Sequence, residues 1–125
     1  YRPDQLVSID STDGPRLVFV DANIEALVVI DPNGNEWVES LPGAPGSLHV
    51  IEDETEGSDG IVASVVMESG EIRIFSGVPS EGLESMILSP PFDVLDAAAW
   101  FDPSGELILV TATSTTGVYF GMAYR

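Results

Sequence analysis

The chain has 125 residues, no cysteine and a formal net charge of −17, because 21 Asp and Glu stand against four Arg and no Lys. The absence of cysteine excludes a disulfide framework and thiolate zinc or redox sites. The scarcity of cations excludes binding to nucleic acid through its phosphates. A hydrophobic content of 44% excludes the disorder that low hydrophobicity and high charge produce.

The acidic, lysine-free composition also bears on the solvent in which the chain works. It resembles the composition of proteins from salt-in halophiles, where molar salt screens repulsion between carboxylates. The cytoplasm of such an organism and an extracellular setting both stay open. No apolar run approaches the roughly 20 residues that span a bilayer, so we expect no membrane insertion. The first residue is Tyr1, which leaves open a leader that has been removed.

The chain is built from short apolar runs rich in Val, Ile and Leu. Gly, Pro, Asp and Asn separate the runs, and this pattern predicts β-strands. In chain order the clearest runs are 17–20, 27–30, 61–63, 72–75 and 107–110. The one segment with helical composition is the Ala-rich stretch 94–100, and seven residues make only a marginal helix.

Glycines and an asparagine recur at intervals of 45 to 47 residues, each just before a predicted strand. One series is Asn23, Gly70 and Gly117, and the other is Gly14, Gly60 and Gly105. In the middle repeat the turn Glu68-Ser69-Gly70 supplies a glycine where a hairpin needs positive φ. We expect Asn23 to fill the same place in the first repeat, because Asn tolerates the left-handed region.

One period holds four strands. In the middle repeat the predicted strands are 47–52, 60–67, 71–77 and 83–88. Four strands in about 40 to 50 residues is the period of a β-propeller blade. The pattern therefore divides a single all-β domain, 1–125, into blade-like units of about 46 residues at about 1–46, 47–93 and 94–125.

Two segments carry a resemblance to propeller families. Residues 94–108, an apolar strand followed by the turn Asp102-Pro103-Ser104-Gly105 and a second strand, resemble the first hairpin of a WD40-type blade. Residues 27–37, with Asp31, Gly34 and Trp37, resemble the outer hairpin of a quinoprotein-like blade. The resemblance implies that 94–100 is a strand. The signature dipeptides and the complete docking pattern of these families are absent, so the resemblance implies no cofactor.

We therefore predict an all-β fold of about 11 strands in three four-stranded propeller-type blades, an incomplete propeller, with a β-sandwich or barrel as the alternative. The third unit ends after its third strand. Three blades do not close a ring, since known propellers have roughly four to eight. The outer faces of the first and third blades should then expose apolar residues, including Phe19 or Val20 and Tyr119 or Phe120.

The densest acidic stretch suggests a metal site. Glu52, Glu54 and Glu56 have the alternating spacing of a calcium loop, in which successive oxygen ligands converge on one point. Calcium loops favour the shorter Asp and Asn at these positions, so a solvated acidic turn is the alternative. Calcium is the one cofactor that the sequence suggests.

Other candidates for chemistry are less specific. His49 lies in an apolar strand, where it is either a structural residue or a general base without a nucleophile nearby. Two pairs, Glu81 with Glu84 and Glu36 with Glu39, have the composition of a glycosidase acid pair. Among 21 carboxylates such pairs arise by chance. The aromatic residues in or beside strands either pack between blades or cap a binding face; they are Trp37, Phe75, Trp100, Phe101, Tyr119 and Phe120.

The function predicted from these patterns is a non-enzymatic binding or assembly module. A binding role is predicted because a rigid frame with many loops, and without a recognisable set of catalytic residues, is suited to contacts with other molecules. A partner chain, self-association or a longer parent chain would complete the module. Two alternatives stay open. One is part of a propeller hydrolase whose carboxylates meet in the channel. The other is a structural component of a halophilic envelope or virus particle.

Salt should stabilise this chain. The Debye length falls from about 10 Å at 0.1 M to about 3 Å at 1 M, which shrinks the repulsion within a net charge of −17. We expect the midpoint of thermal unfolding, followed by circular dichroism, to rise between about 0.1 M and about 2 M KCl. A midpoint that stays flat or falls would contradict the screening argument.

Overall fold

The computed structural model describes residues 5–11, 14–53, 60–102, 104–105 and 107–124. Within these ranges the chain forms eleven strands in three antiparallel sheets of four, four and three strands, none of which closes on itself. The all-β prediction is confirmed, and the sandwich or barrel alternative is not needed. Among the described residues no helix has the length and apolar character needed to cross a membrane.

Each sheet is a meander in which every strand pairs with the next strand along the chain. Sheet I consists of β1 (Gln5–Ser11), β2 (Gly14–Asp21), β3 (Ala26–Ile30) and β4 (Glu36–Ser40). Sheet II consists of β5 (Pro45–Asp53), β6 (Gly60–Met67), β7 (Ile72–Gly77) and β8 (Glu84–Leu88), with a 3-10 turn at Pro79–Glu81. Sheet III consists of β9 (Asp96–Phe101), β10 (Leu107–Thr113) and β11 (Val118–Tyr124).

The observed strands of sheet II lie within two residues of their predicted bounds. The prediction works because each apolar run there ends at a charged residue or at a serine that precedes glycine or proline. The third sheet has three strands within the described residues, which agrees with the prediction that the third unit ends after its third strand.

The marginal helix at 94–100 is wrong, and the strand that the resemblance implied is confirmed as β9. Ala97 and Ala99 alternate with exposed or half-buried neighbours along β9 and are buried, at 5% and 0% exposure. The whole strand also pairs with β10. Sheet pairing and burial of one face outweigh the weak helical preference of three alanines, because seven residues gain little from a helix alone.

Sheet II is the middle layer, and it has a hydrophobic core on each side. The core between sheets I and II contains Val18, Val20, Leu27 and Val29 from sheet I and Ala63, Val65 and Phe75 from sheet II. The core between sheets II and III contains Val62, Val66, Ile72 and Ile74 from sheet II and Ala97, Ala99, Ile108, Val110 and Ala112 from sheet III. Because both faces are covered, all eight residues of β6 are buried.

The β6–β7 turn confirms the role predicted for Gly70. Its φ is 90°, its N–H donates to the carbonyl of Met67 (2.9 Å), and the N–H of Met67 donates to the carbonyl of Glu71 (2.8 Å). Gly70 is therefore the last of three turn residues before the strand resumes. This left-handed backbone is readily available to glycine and costly for a β-branched residue.

The equivalent role predicted for Asn23 is wrong. The positive φ of the β2–β3 turn falls on Glu25 (50°), while the N–H of Asn23 donates to Oδ1 of Asp21 (2.8 Å). Asp21 pairs with Ala26, so this turn has four residues where the β6–β7 turn has three. In both turns the left-handed residue is the last before the strand. Because the β2–β3 turn has one residue more, its left-handed residue is Glu25 and not Asn23.

We expect Gly70→Val to be more damaging than Glu71→Gln. Nothing lies within 4 Å of a Cβ added at Gly70, so its cost is the left-handed backbone alone, about 1–3 kcal/mol. Glu71 forms a part-buried ion pair with Nε of Arg73 at 2.6 Å, worth about 1 kcal/mol or less. Urea titration of both variants measures the difference, with Gly70→Asn as the control that tolerates positive φ. Equal losses in all three variants would contradict the turn geometry.

Candidate interaction surfaces

Sheets I and II are joined by side chains that bind backbone across the gap. Nε2 of Gln5 on β1 donates to the carbonyl of Gly46 (3.0 Å), and its Oε1 accepts from the N–H of Leu48 (2.9 Å). One amide thus satisfies a donor and an acceptor on β5. The strand is irregular here, with a register shift between Pro45 and Ser47. A Cβ at Gly46 would lie 2.9 Å from the carbonyl oxygen of Val66, so the close approach requires glycine.

Glu52, the first residue of the predicted calcium loop, joins the same two sheets. Its Oε1 accepts a hydrogen bond from the N–H of Asp10 on β1 (3.0 Å). Glu54 and Glu56 lie outside the described residues. Within the described part of the chain, no three His, Cys, Asp or Glu residues are placed to hold a metal ion together. The calcium site stays a prediction, and one oxygen of Glu52 has a structural partner in this structure.

The face between sheets II and III holds a polar row. Oγ of Ser47 donates to Oδ1 of Asp96 on β9 (3.3 Å). Two residues along β5, His49 lies directly opposite Ser64 of β6, so both side chains are on the face toward sheet III. Nδ1 of His49 and Oγ of Ser64 are buried and have no hydrogen-bond partner. Buried atoms of this kind usually bind an ordered water molecule, which fits a structural histidine better than a general base.

The predicted carboxylate pairs have different placements. Glu36 and Glu39 are three residues apart on β4, so they project from opposite faces of the strand and do not converge. Glu81 and Glu84 line one cavity of about 370 Å³ together with Asp53, which is 3% exposed at the end of β5. The structure therefore brings one pair together and separates the other. A catalytic role for either stays a prediction.

Most of the aromatic side chains pack between sheets. Phe75 is buried in the core between sheets I and II, and Trp37 packs against that core. Phe101 and Tyr119 pack against the core between sheets II and III, where Tyr119 meets Phe92 edge to face at 5.9 Å between ring centroids. The side chain of Phe120 lies outside the described residues. Trp100 differs from the others because it is 41% exposed.

The face of sheet I that points away from sheet II, called here the sheet I outer face, has a buried apolar centre and exposed apolar side chains around it. Leu6, Phe19, Val28 and Val38 form one row across its four strands, in register, and Leu17 lies in the next row. Leu6 is 55% exposed, Val38 50% and Leu17 39%, whereas Phe19 and Val28 at the centre are only 2% and 0% exposed. Of the two predicted alternatives, Phe19 lies on this face, but it is 2% exposed and not open to solvent as expected. Val20 belongs to the core with sheet II, because successive residues of a strand alternate between faces.

The face of sheet III that points away from sheet II, the sheet III outer face, is open. Trp100 lies opposite Leu109, and Val118 continues the face at the start of β11 with 59% of its side chain exposed. Leu109 and Thr111 are half-buried. Of the predicted alternatives Tyr119 and Phe120, Tyr119 packs inward against sheet II, and the side chain of Phe120 lies outside the described residues. Alternation along β11 separates Tyr119 from Val118.

β11 also presents an open backbone edge, since its described partner is β10 alone. The N–H of Leu95 donates to the carbonyl of Thr113 (2.8 Å), so the backbone groups of Thr113 point toward β9. Val118 is opposite Thr113 and belongs to a pair that is not hydrogen-bonded. Its N–H and C=O therefore point to the open edge, and alternate residues along β11 do the same. The other two sheets carry a fourth strand at this place.

Sequence reasoning missed the residues that join the sheets, namely Gln5, Ser47, Asp10 and Asp96. Nothing in their local pattern distinguishes them from ordinary surface polar residues. Their roles depend on which strands become neighbours across the gap, and this is fixed by the register of the three sheets.

No protein-family model, curated protein or solved structure matches the chain. The argument for function therefore depends on the surfaces themselves.

A carboxylate organises the β3–β4 turn. Oδ1 of Asp31 accepts from the N–H groups of Asn33 (2.9 Å) and Asn35 (2.8 Å), and its Oδ2 accepts from Nδ2 of Asn35 (2.9 Å). The side-chain hydrogen bond of Asn35 is the main reason that the pKa of Asp31 lies below its ordinary value, and the backbone N–H groups lower it further. Asp102 holds the β9–β10 turn in a similar way, accepting from the N–H of Leu107 (3.1 Å).

Asp31→Ala should destabilise the chain at neutral pH and much less in acid. A carboxylate whose pKa is lowered on folding stabilises the fold above its unfolded pKa, and this contribution is lost as the pH falls through the folded value. We expect the difference in free energy of unfolding between wild type and variant to shrink as the pH drops from about 7 toward 2. Urea titrations in high salt measure it, with Asp93→Ala as the exposed control. A difference that does not change with pH would contradict the assignment.

Proposed function

We propose that the chain is a non-enzymatic binding or assembly module of propeller-type blades, completed by a partner chain or by further blades of a longer parent. The observation that carries this proposal is the exposure of large apolar side chains on the outer faces of the two end sheets of the three-sheet stack. Large exposed side chains mark both faces: Leu6, Leu17 and Val38 on sheet I, and Trp100 and Val118 on sheet III.

The composition of these faces supports contact with protein instead of water. A sheet with one solvated face alternates apolar and polar residues. The middle of the sheet I outer face is instead Leu17, Phe19, Val28 and Ile30, so sheet I is apolar on both sides. The row Leu6, Phe19, Val28 and Val38 crosses four strands without a carboxylate, although the chain has 21 acidic residues. This supports a surface that contacts another protein. Contiguous apolar patches of this kind mark interaction sites.

The open edge of β11 adds a second mode of attachment. An unpaired strand edge is a template for strand addition, in which backbone hydrogen bonds supply affinity and alternate side chains supply specificity. The outward-pointing N–H and C=O of Val118 begin this edge. A fourth strand supplied by a partner, or by a later part of a longer parent, would give sheet III the same number of strands as sheets I and II.

The net charge is consistent with this proposal and limits the salt concentrations at which the proposed assembly would form. Any acidic partner, including another copy, meets repulsion from a charge of −17 unless salt screens it. The apolar contacts carry no such penalty, and salts strengthen them. Assembly through the outer faces should therefore be strongest in concentrated salt.

The proposal predicts that the isolated chain in about 2 M KCl will be associative or will bind an apolar dye. Static light scattering should give a mass above the 13.3 kDa of one chain that increases with concentration, or a fluorescent dye should report uncovered faces. Trp100→Glu should reduce both signals. Ile87→Glu is the matched control, because Ile87 is 49% exposed on β8, the edge strand of sheet II, and belongs to neither outer face.

The contrary result is well defined. A monodisperse monomer that neither associates nor binds dye in concentrated salt would mean that the two faces need no cover, and the proposed function would fall.

A further inference from the structure

The β3–β4 turn presents to solvent the one asparagine of the chain that is followed by glycine. The three asparagines are Asn23, Asn33 and Asn35, and the residues after them are Ile24, Gly34 and Glu36. Asn33 and Gly34 are both exposed. Nothing lies within 4 Å of a Cβ added at Gly34, so the space beside this glycine is open.

We propose that Asn33 is a site of spontaneous deamidation, through a succinimide formed with the backbone nitrogen of Gly34, and that Asp31 slows this modification while the turn is folded. The modification does not depend on the proposed function, because it needs no partner and no assembled ring. Closure of the succinimide ring requires backbone angles that glycine reaches easily. Ile24, which follows Asn23, is β-branched and places its bulk beside the nitrogen that would react.

Both steps of the modification use groups that the chain and water supply. The Gly34 nitrogen loses its proton to hydroxide or a buffer base and bonds to Cγ of Asn33, and the Cγ–Nδ2 bond then breaks with release of ammonia. Water adds to either carbonyl carbon of the cyclic imide, which breaks one carbon–nitrogen bond and leaves aspartate or isoaspartate at position 33. One water is consumed, one ammonia is released, and nothing is oxidised or reduced.

The side-chain amides of Asn33 and Asn35 differ in what holds them. Nδ2 of Asn35 donates to Oδ2 of Asp31 (2.9 Å), which fixes this amide, and the long side chain of Glu36 follows it. Within the described residues the side-chain amide of Asn33 has no hydrogen bond, and its backbone N–H is bound to Oδ1 of Asp31 (2.9 Å). Cγ of Asn33 is therefore free to turn toward the Gly34 nitrogen.

Asp31 restrains the reacting nitrogen and the backbone around it. The N–H of Gly34 donates to the main-chain carbonyl of Asp31 (3.0 Å), so the proton that must leave is held in a hydrogen bond. Oδ1 of Asp31 binds the N–H groups of Asn33 (2.9 Å) and Asn35 (2.8 Å), which fixes the chain on both sides of Gly34. The carboxylate also repels the negative charge that develops on the Gly34 nitrogen. The folded turn should therefore react more slowly than the same sequence in an unfolded chain.

Reaction at Asn33 would disrupt this turn. Either product adds a carboxylate close to Asp31, and like charges at close range repel. Isoaspartate also lengthens the main chain between the hydrogen-bonded groups of Asp31 and Asn35, so their bond cannot keep its geometry. The turn joins β3 to the edge strand β4, whose described partner is β3 alone, so its loss would loosen one edge of sheet I.

The first experiment follows each asparagine separately in the folded protein. The full chain is kept in mildly alkaline buffer with concentrated KCl, digested with pepsin in acid, where the reaction is slow, and mapped by mass spectrometry with fragmentation. Asn33 should change from amide to acid at least about tenfold faster than Asn23 or Asn35, a difference of one decade in rate. Isoaspartate among the products identifies the imide route, because direct hydrolysis gives aspartate alone.

The second experiment tests the restraint by Asp31. Asp31→Ala, shown to be folded by circular dichroism, should speed the reaction of Asn33 severalfold, while Asp93→Ala, an exposed carboxylate between β8 and β9, should leave it unchanged. In urea that unfolds both proteins, wild type should react faster than it does folded, and its rate should converge with that of Asp31→Ala. Gly34→Ala is compared in urea, where the positive φ of the folded turn (88°) does not matter, and should slow the reaction about tenfold.

The outcomes separate the site from its restraint. No acid at position 33 even in urea, equal rates at all three asparagines, or a product without isoaspartate would overturn the succinimide at Asn33. A folded Asp31→Ala that reacts at the wild-type rate, or a wild type that reacts no faster in urea, would overturn the restraint by Asp31. Neither result bears on whether the outer faces bind a partner, which the light-scattering and dye measurements decide.

Discussion

Everything in this molecule depends on the burial of sheet II from both sides. β6 has no side chain in water, so its stability requires sheet I on one face and sheet III on the other. The apolar area that this removes from water is the main favourable contribution to folding, at about 25 cal/mol per Å². The links of Gln5, Glu52 and Ser47 across the gaps set the alignment of the layers. They do so by hydrogen bonds that connect backbone and side-chain groups of neighbouring sheets.

The same constraint explains why the ends of the stack differ from its middle. Under the proposed assembly, each sheet of this repeat would stand between two others, which accounts for apolar residues on both of its faces. Sheets I and III carry such residues although each has only one described neighbour. The exposed Leu6 and Trp100 are thus a consequence of repetition and not isolated surface accidents. The acidic residues make such a chain compatible with water, and several of them, such as Asp31 and Asp102, lie in the turns between strands.

The sequence was sufficient for the strands and their period, because the signals are local. Apolar runs ended by glycine or proline give the strand bounds, and glycines at 45 to 47 residues give the repeat. The sequence was insufficient wherever the answer depended on register. Phe19 or Val20, and Tyr119 or Phe120, stayed alternatives for the outer faces because a one-residue shift reverses the facing of a strand. Asn23 was misassigned because its turn is one residue longer than the turn with which it was aligned. The partner of Glu52 is on another sheet, at a distance along the chain that no local pattern encodes.

The uniform burial of β6 has a consequence before the chain is folded. Gly60–Met67 is an uncharged segment rich in β-branched residues, with no proline, and this is the composition that forms intermolecular β-structure when it is exposed. During synthesis or unfolding it is exposed, because neither of its covering sheets is yet in place. Asp59 precedes it and Glu68 follows it, so charges flank the segment on both sides. The acidity that shapes the folded surface therefore also acts as a gatekeeper against aggregation of the strand at its centre.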